Sequence, residues 1–179
     1  VRGLCRDGHQ VRCMLTPNAC RFVSPLVLQS LCGAPVRTEL FDPGEESEIG
    51  HIELADWADL LIVAPGTANL LARMAHGMAD DLVTAVHLAT RAPVLAAPAM
   101  NVNMWNHVAT KSNVATLRER GVAFVGPNSG PLACGWEGEG RMAEPSEILE
   151  AAYLSSGVPS LAGQTLLVTA GGTREPIDA

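Results

Sequence analysis

Two kinds of hydrophobic pattern alternate along the chain: short continuous apolar runs, and segments in which apolar residues recur every three or four positions. Strands are predicted at 10–16, 35–40, 60–64, 93–98, 122–126 and 165–169. Helices are predicted at 19–23, 25–32, 68–76, 78–90, 103–109, 112–120 and 146–154. Runs such as LLIVAP and PVLAAPA do not alternate with polar residues, which is typical of strands covered by helices on both faces. The pattern predicts an α/β layered fold with a mostly parallel sheet.

The two ends of the chain predict most of one domain and the beginning of another. VRGLCRDG reads as the last turns of a helix that stops at Gly8. An α/β domain rarely begins on half a helix, so we expect an N-terminal truncation that removes the first strand and the loop after it. At the other end, TLLVTAGGTREPIDA reads as a strand running into a Gly-rich loop. We therefore expect a domain at 1–154, a linker at 155–164 and the opening of a second, truncated domain at 165–179.

Composition and charge narrow the class of protein. The 179 residues include 12 Lys+Arg and 19 Asp+Glu, a net charge of −7, with Lys111 as the sole lysine. Such a chain has no basic surface for a phosphate backbone, so no nucleic-acid partner is expected. No apolar run approaches the roughly 20 residues of a membrane span, and no signal peptide is visible, so we expect a cytoplasmic protein without a membrane partner. The five cysteines lack a C-x-x-C pair, which favours neither disulfides nor a metal site.

Ligands of such folds bind beyond the carboxyl ends of the strands, where four polar segments fall: Thr16–Asn18, Pro65–Asn69, Pro98–Asn101 and Gly126–Pro145. In the second of them, APGTAN opens a helix whose free N–H groups suit a phosphate or a ring carbonyl without any lysine. The alternative is a simple helix start capped by a threonine or asparagine. The same two interpretations apply to TPNA at 16–19.

Two polar side chains in these surroundings are candidates for chemistry. His51 lies in GHIEL, between an acidic stretch and a strand-like apolar pair, and a lone histidine is more often structural than a base. The PAMN turn brings the Asn101 amide to the ligand edge of the sheet, or uses it only to cap the next helix.

The Gly-rich stretch NSGPLACGWEGEGRMAEP predicts a mobile surface flap, because few of its residues suit a core. Cys134 is the only cysteine outside a predicted element, and a flap that closes over a reaction can bring a proton donor with it. Arg141 is placed to pair with a carboxylate or phosphate of a ligand, or equally with Glu137 or Glu139.

Three segments together resemble a known family: GHIELADWADLLIVAPGTANLLARMAHGMADDLV, then PAMNVNMW, then ACGWEGEGRMAEP. In this order and spacing they are similar to the homo-oligomeric flavin-containing cysteine decarboxylases, and the similarity covers residues 1–154. The nearest branch acts on phosphopantothenoylcysteine in coenzyme A biosynthesis. The tail TAGGTREPIDA resembles the opening strand and nucleotide loop of the phosphopantothenate–cysteine ligase domain fused to that branch. The resemblance implies a three-layer Rossmann-like flavoprotein fold.

The resemblance also implies a cofactor, a reaction and residue roles. The cofactor is FMN, which oxidises the substrate thiol to a thioaldehyde so that the charge left by departing CO2 is stabilised, before the enethiol is reduced to 4′-phosphopantetheine. His51 matches the active-site histidine, Asn101 the asparagine that binds the substrate carboxylate, and Cys134 the proton donor. FMN-contacting positions are Thr16, Pro17, Asn18, Thr67, Ala68, Asn69, Leu70 and Ala99. Substrate-contacting positions are Asn101, Met104, Arg141 and Met142.

The partners implied by the resemblance are the small-molecule substrate 4′-phosphopantothenoylcysteine and further copies of the chain, in a homotrimer or a dodecamer. CTP and Mg²⁺ are expected only for the ligase domain. Trp136 departs from the family pattern, which has Asp there, and this bears on packing of the flap. Two alternatives are a non-enzymatic flavin-binding regulatory subunit and a peptidyl-cysteine decarboxylase. The retention of His51, Asn101 and Cys134 argues against the former, and the clamp GRMAEP with the ligase opening argues against the latter.

Overall fold

A five-stranded sheet, parallel at every strand pair, runs through the molecule in the order β1-β7-β2-β3-β4, and a separate antiparallel hairpin joins β5 to β6. The computed structural model describes residues 1–41, 50–131, 135, 137–155 and 165–170. The strands are β1 Gln10–Leu15, β2 Leu60–Gly66, β3 Val94–Pro98, β4 Ala123–Phe124, β5 Asn128–Pro131, β6 Glu137–Arg141 and β7 Thr165–Ala170. The helices are α1 Arg2–Arg6, α2 Pro25–Cys32, α3 Gly50–Trp57, α4 Ala68–Ala75, α5 Leu82–Ala89, α6 Val102–Asn106, α7 Val108–Glu119 and α8 Pro145–Ser155.

Helices cover both faces of the sheet, and strand β2 shows this most clearly. Leu61 and Val63 pack into a cluster with α3, α4, α5 and α7, whereas Leu60 and Ile62 pack into a second cluster with α1, α2 and α8. All four side chains are at most 2% exposed. Because successive side chains of a strand point to opposite faces, a run that is apolar throughout needs an apolar layer on each side. The predicted three-layer α/β fold is confirmed.

Strand β7 lies at the centre of the sheet, between β1 and β2. Thr169 is in register with Met14 on one side and with Val63 on the other. The strand itself was predicted from the sequence, but its place in this sheet was not. The position of the six residues of β7 in this sheet does not test how the chain after them folds. The second domain at 165–179 therefore stays a prediction.

Three local expectations differ from the structure. The predicted strand at 35–40 is reduced to one bridge, from Met14 to Arg37, at the edge of the sheet. Pro35 has no N–H to donate to a ladder, which shortens the pairing. The apolar pair after His51 belongs to helix α3, where Leu54 and Ala55 face the core.

The third difference is the flap, whose arms form the hairpin β5–β6 rather than an irregular loop. Among the described helices, none has the length and apolar character required to cross a membrane.

Candidate functional site

A polar cleft of about 230 Å³ opens beyond the carboxyl ends of β1 and β2. Its walls come from the loop after β1, from the start of α4, and from the turn between α4 and α5. The lining residues are Thr16, Pro17, Asn18, Thr67, Asn69, Leu70, Arg73, Asp80 and Asp81. Six of these nine are positions that the resemblance implies for FMN, so the structure gathers most of that predicted set in one place.

Thr67 sets the start of helix α4 at the floor of the cleft. Its hydroxyl oxygen accepts a hydrogen bond from the backbone N–H of Leu70 at 3.2 Å, and only 4% of the residue is exposed. In the described part of the chain, the N–H groups of Ala68 and Asn69 have no hydrogen-bond partner. Uncapped N–H groups at a helix start carry partial positive charge and bind an anionic or carbonyl oxygen. The capping interpretation of APGTAN is therefore confirmed, whereas the ligand-binding interpretation stays a prediction, with two N–H donors left at the helix start.

The loop after β1 forms the opposite wall. The Thr16 hydroxyl oxygen accepts a hydrogen bond from the N–H of Ala19 at 3.1 Å, which fixes a short 3₁₀ turn at Ala19–Arg21. Thr16 is buried, while Pro17 and Asn18 are exposed. The capping bond holds the turn so that these two residues face the cleft.

Sequence reasoning missed the ionic cluster that closes the third wall. The Arg73 guanidinium pairs with the carboxylates of Asp80 and, at 2.8 Å, Asp81, and it also donates to the hydroxyl of Thr84 at 3.3 Å. Only 15% of the Arg73 side chain is exposed. The hydrogen bond from Arg73 holds the pKa of the Asp80 carboxyl below its ordinary value. Two carboxylates against one guanidinium leave this wall negative, so an anion in the cleft must rely on the N–H donors of α4. The signal in the sequence was the acidic pair before helix α5, where Asp81 is the N-cap.

The PAMN turn lies at the neighbouring carboxyl end, after β3. The N–H of Ala99 donates to the carbonyl of Gly66 at 3.2 Å, which joins the turn to the end of β2. The Asn101 side-chain oxygen accepts a hydrogen bond from the N–H of Asn103 at 2.8 Å and caps α6. The Asn101 side chain therefore serves this turn as the N-cap of α6, and its predicted role toward a ligand stays a prediction.

The hairpin β5–β6 is fixed to this turn by a backbone contact. The N–H of Met100 donates to the carbonyl of Gly140 at 2.9 Å. A Cβ atom on Gly140 would lie 2.2 Å from the carbonyl oxygen of Met100, and one on Gly138 would lie 2.8 Å from the Val102 side chain. Only glycine permits so close an approach of the hairpin. The flap arms are therefore anchored through main chain rather than through apolar side chains.

His51 lies in the first turn of α3 and is not among the residues that line the cleft. Its Nδ1 atom is buried and has no hydrogen-bond partner among the described residues. Helix α3 is held to the sheet by Glu53, whose carboxylate pairs with Arg12 at 2.9 Å and Arg37 at 3.3 Å. His9 Nδ1 and Thr169 Oγ1 are likewise buried without a partner among the described residues, so the role of His51 stays a prediction.

The remaining predicted residues that the structure describes make their contacts outside the cleft. Arg141 pairs with Glu144, whereas the sequence predicted Glu137 or Glu139 as its alternative partners. Met142 lines an apolar cavity on the face of the sheet covered by α1, α2 and α8, and Met104 on α6 is 43% exposed. Cys134 and Trp136 lie outside the described residues. The roles given to these residues stay predictions.

The cleft fits part of an FMN molecule. Its volume is below that of typical pockets for whole drug-sized ligands, and it suits a ribityl phosphate or one end of a ring. The free N–H groups of Ala68 and Asn69 match phosphate or carbonyl oxygens, and the hydroxyl-bearing and amide side chains around them match a polyol.

The fold is a parallel sheet between two layers of helices. A polar cleft with helix N–H donors lies at the carboxyl edge of this sheet, which defines an α/β protein of the nucleotide-cofactor-binding class. A family model described as Flavoprotein matches residues 1–154. The chain belongs to the flavoprotein family.

Individual relatives agree with this membership. A protein of Vibrio vulnificus named coenzyme A biosynthesis bifunctional protein CoaBC is 47% identical over 178 residues, which is 99% of this chain and 44% of that protein. The chain thus spans less than half the length of this relative. The structure of the FMN binding protein AtHal3 is 35% identical with a TM-score of 0.66, covering 80% of both chains. A mutant phosphopantothenoylcysteine (PPC) decarboxylase complexed with pantothenoylaminoethenethiol is 28% identical with a TM-score of 0.64, covering 82% of this chain and 97% of that one.

Proposed function

We propose that residues 1–154 form an FMN-dependent decarboxylase that converts 4′-phosphopantothenoylcysteine to 4′-phosphopantetheine in coenzyme A biosynthesis. The observation that carries the proposal is the backbone bond between Met100 and Gly140. It ties a hairpin to the turn that bears Asn101, beside a cleft suited to a cofactor. Support also comes from the 47% identity to a coenzyme A biosynthesis protein and from the similarity to a PPC decarboxylase with a bound ligand.

FMN is held, in this proposal, by the cleft. The N–H groups of Ala68 and Asn69 bind an oxygen of the cofactor, and the walls formed by Thr16–Asn18 and by Leu70 enclose the rest. Ala99 contributes from the neighbouring turn, which is bonded to the end of β2. When bound, FMN supplies two-electron oxidation of the substrate thiol and the return of the same electrons later.

The substrate carboxylate is bound by Asn101, because a carboxylate is an acceptor and the amide nitrogen of Asn101 is a donor. His51 orients or charge-stabilises the carboxylate through its unpartnered Nδ1. Met104, Arg141 and Met142 complete the substrate contacts. In the net reaction the bond between the cysteine Cα and its carboxyl carbon breaks, CO2 leaves, and one proton takes its place.

Cys134 is the proposed donor of that proton. In the sequence Cys134 falls between Pro131, the last residue of β5, and Glu137, the first residue of β6, which are partners in the hairpin register. The anchoring of the hairpin arms on the PAMN turn supports the proposal that Cys134 acts on a substrate held by Asn101.

The parent protein, in the same proposal, is cytoplasmic and bifunctional, with residues 165–179 opening a ligase domain that uses CTP and Mg²⁺. The chain assembles as a homotrimer or dodecamer. An exposed apolar surface on and before α2 supports contact between copies: Phe22, Val23, Leu26 and Val27 are 60%, 37%, 67% and 54% exposed. A contiguous apolar patch of this kind marks an interaction site.

The test uses the protein in its full natural length, loaded with FMN and given phosphopantothenoylcysteine. We expect stoichiometric CO2 and phosphopantetheine, detected by mass spectrometry. A peptide ending in cysteine is the comparison substrate, and faster turnover of the peptide would favour the peptidyl-cysteine alternative. Flavin bound at one per chain without CO2 from either substrate would favour the regulatory subunit and overturn the proposal.

A further inference from the structure

A second cavity, of about 500 Å³, lies at the opposite end of the sheet from the cleft. It opens at the amino end of β3, between the end of α5 and the end of α7. Basic side chains lining it are Arg91, Arg120 and His87. None of its lining residues is acidic, although the whole chain carries a net charge of −7.

Arg120 is held in place by a bond to the main chain. Its Nη1 atom donates to the carbonyl of Ala75 at 2.6 Å, which leaves the other donors of the guanidinium for a ligand. Arg91 also lines the cavity and is exposed, and neither guanidinium has an ion pair with a carboxylate within the described residues. Two arginines without carboxylates at one cavity attract an anion.

His87 supplies a third donor from α5. Burial, followed by the charge of Arg120, lowers the pKa of His87, so its ring is uncharged at neutral pH and offers one N–H. The hydroxyl of Thr90, on the same rim, is bonded to the carbonyl of Ala55 and does not compete for the arginines. The cavity therefore presents cationic and neutral donors to the same space.

We propose that this cavity binds a small phosphomonoester, with the phosphate between Arg91 and Arg120 and the organic part in the remaining volume. A phosphate alone would leave most of 500 Å³ empty, whereas this volume lies in the range of small-molecule pockets. Guanidinium groups bind phosphate oxygens in pairs of parallel hydrogen bonds, which accounts for arginine at both positions. The site is separate from the carboxyl-end cleft and does not depend on the proposed function.

The test is calorimetric titration of the protein with glycerol 3-phosphate, compared with inorganic phosphate and with glycerol. We expect glycerol 3-phosphate to bind more tightly than phosphate and glycerol not to bind. Arg91→Gln is the informative variant, because Arg91 is exposed and its loss leaves the Arg120 bond to Ala75 intact. Loss of one bidentate arginine is expected to weaken binding roughly tenfold.

Arg118→Gln is the matched control, since Arg118 lies on α7 near Arg120 but stacks on the Phe124 ring at 5.2 Å and does not line the cavity. It should bind glycerol 3-phosphate as the unmodified protein does. Equal loss in both variants would show a general charge effect and overturn the site. Absence of binding, unchanged binding by Arg91→Gln, or tighter binding of inorganic phosphate would overturn the proposal as stated.

Discussion

Glu139 on the hairpin accepts a hydrogen bond from the indole N–H of Trp105 on α6, at 3.1 Å. The Trp105 ring is 5% exposed, and the Lys111 ammonium lies 4.2 Å from its centroid. The sole lysine of the chain and a hairpin carboxylate thus contact the same indole. This contact and the backbone bond of Gly140 hold the hairpin to the helix that Asn101 caps.

Replacing Glu139 by alanine should lower kcat by about five- to tenfold, because one net hydrogen bond of about 1 kcal/mol that positions the hairpin is lost. Glu139→Gln should keep most of the activity, since its amide oxygen still accepts from the indole. Steady-state kinetics of CO2 release with FMN bound measures both. Glu137→Ala, on the same strand, is the control and should resemble the unmodified protein. If Glu139→Gln were as impaired as Glu139→Ala, the hydrogen bond to Trp105 would not be what positions the hairpin for catalysis.

Gly140→Ala should detach the hairpin from the PAMN turn. The added Cβ would lie 2.2 Å from the Met100 carbonyl oxygen, and overpacking of this kind costs about 1–3 kcal/mol. We expect activity to fall more than about tenfold. Gly130→Ala is a closely matched control: its φ of +153° is nearly that of Gly140 at +155°, yet its nearest neighbour is 3.7 Å away. Equal losses in the two variants would assign the effect to backbone strain instead of the contact.

Asn101→Asp separates capping from ligand binding. Aspartate is as good an N-cap as asparagine, so its oxygen keeps the bond from the Asn103 N–H, and the melting temperature should fall less than in Asn101→Ala. The amide donors are replaced by a negative charge that repels the substrate carboxylate, so kcat/KM should fall at least about 100-fold. Asn101→Ala should lower the melting temperature as well as the activity. Retained turnover by Asn101→Asp with flavin bound would show that Asn101 only caps the helix.

The layers of the fold were predictable because their signal is local. A run such as LLIVA at 60–64 requires apolar layers on both faces wherever it lies in the sheet. The capped start of α4 was equally visible, since Thr67 and the helix it caps are adjacent in sequence. The gathering of loops at one edge followed from the parallel arrangement.

The parts that escaped prediction depend on contacts that leave one helix or strand for another element or a turn. Arg73 and the Asp80–Asp81 pair are joined across a turn, and nothing in helical periodicity selects that partner. The anchoring of the hairpin escaped because it runs through the backbone of Met100 and Gly140, which side-chain patterns do not report. The Gly-rich stretch has few apolar side chains to anchor it, but Gly140 allows the backbone of the hairpin to contact the backbone at Met100 directly.

The hairpin has a third attachment, which makes its stability depend on pH. The Glu147 carboxylate on α8 accepts hydrogen bonds from the N–H of Glu144 at 2.7 Å and from the amide of Asn128 on β5 at 2.6 Å. These bonds, the backbone one first, lower the pKa of Glu147 from its ordinary value of 4.5. Because the folded pKa lies below the unfolded one, this stabilisation is present above about pH 4.5 and is lost as the pH falls through the folded pKa.

Glu147→Gln should therefore lower the melting temperature at pH 7, where the Glu147 carboxylate is charged. The difference in melting temperature between the variant and the unmodified protein should become smaller as the pH falls below the ordinary carboxyl range. Calorimetric melting at pH 7, 5, 4 and 3 measures this convergence. Glu150→Gln on the same helix is the control and should melt in parallel with the unmodified protein throughout, because Glu150 has no hydrogen bond to the hairpin within the described residues. Parallel melting curves for Glu147→Gln would show that its carboxylate contributes nothing to the attachment. Other carboxylates with lowered pKa values, such as Asp7 and Asp80, are present in all three proteins and cancel in the comparison.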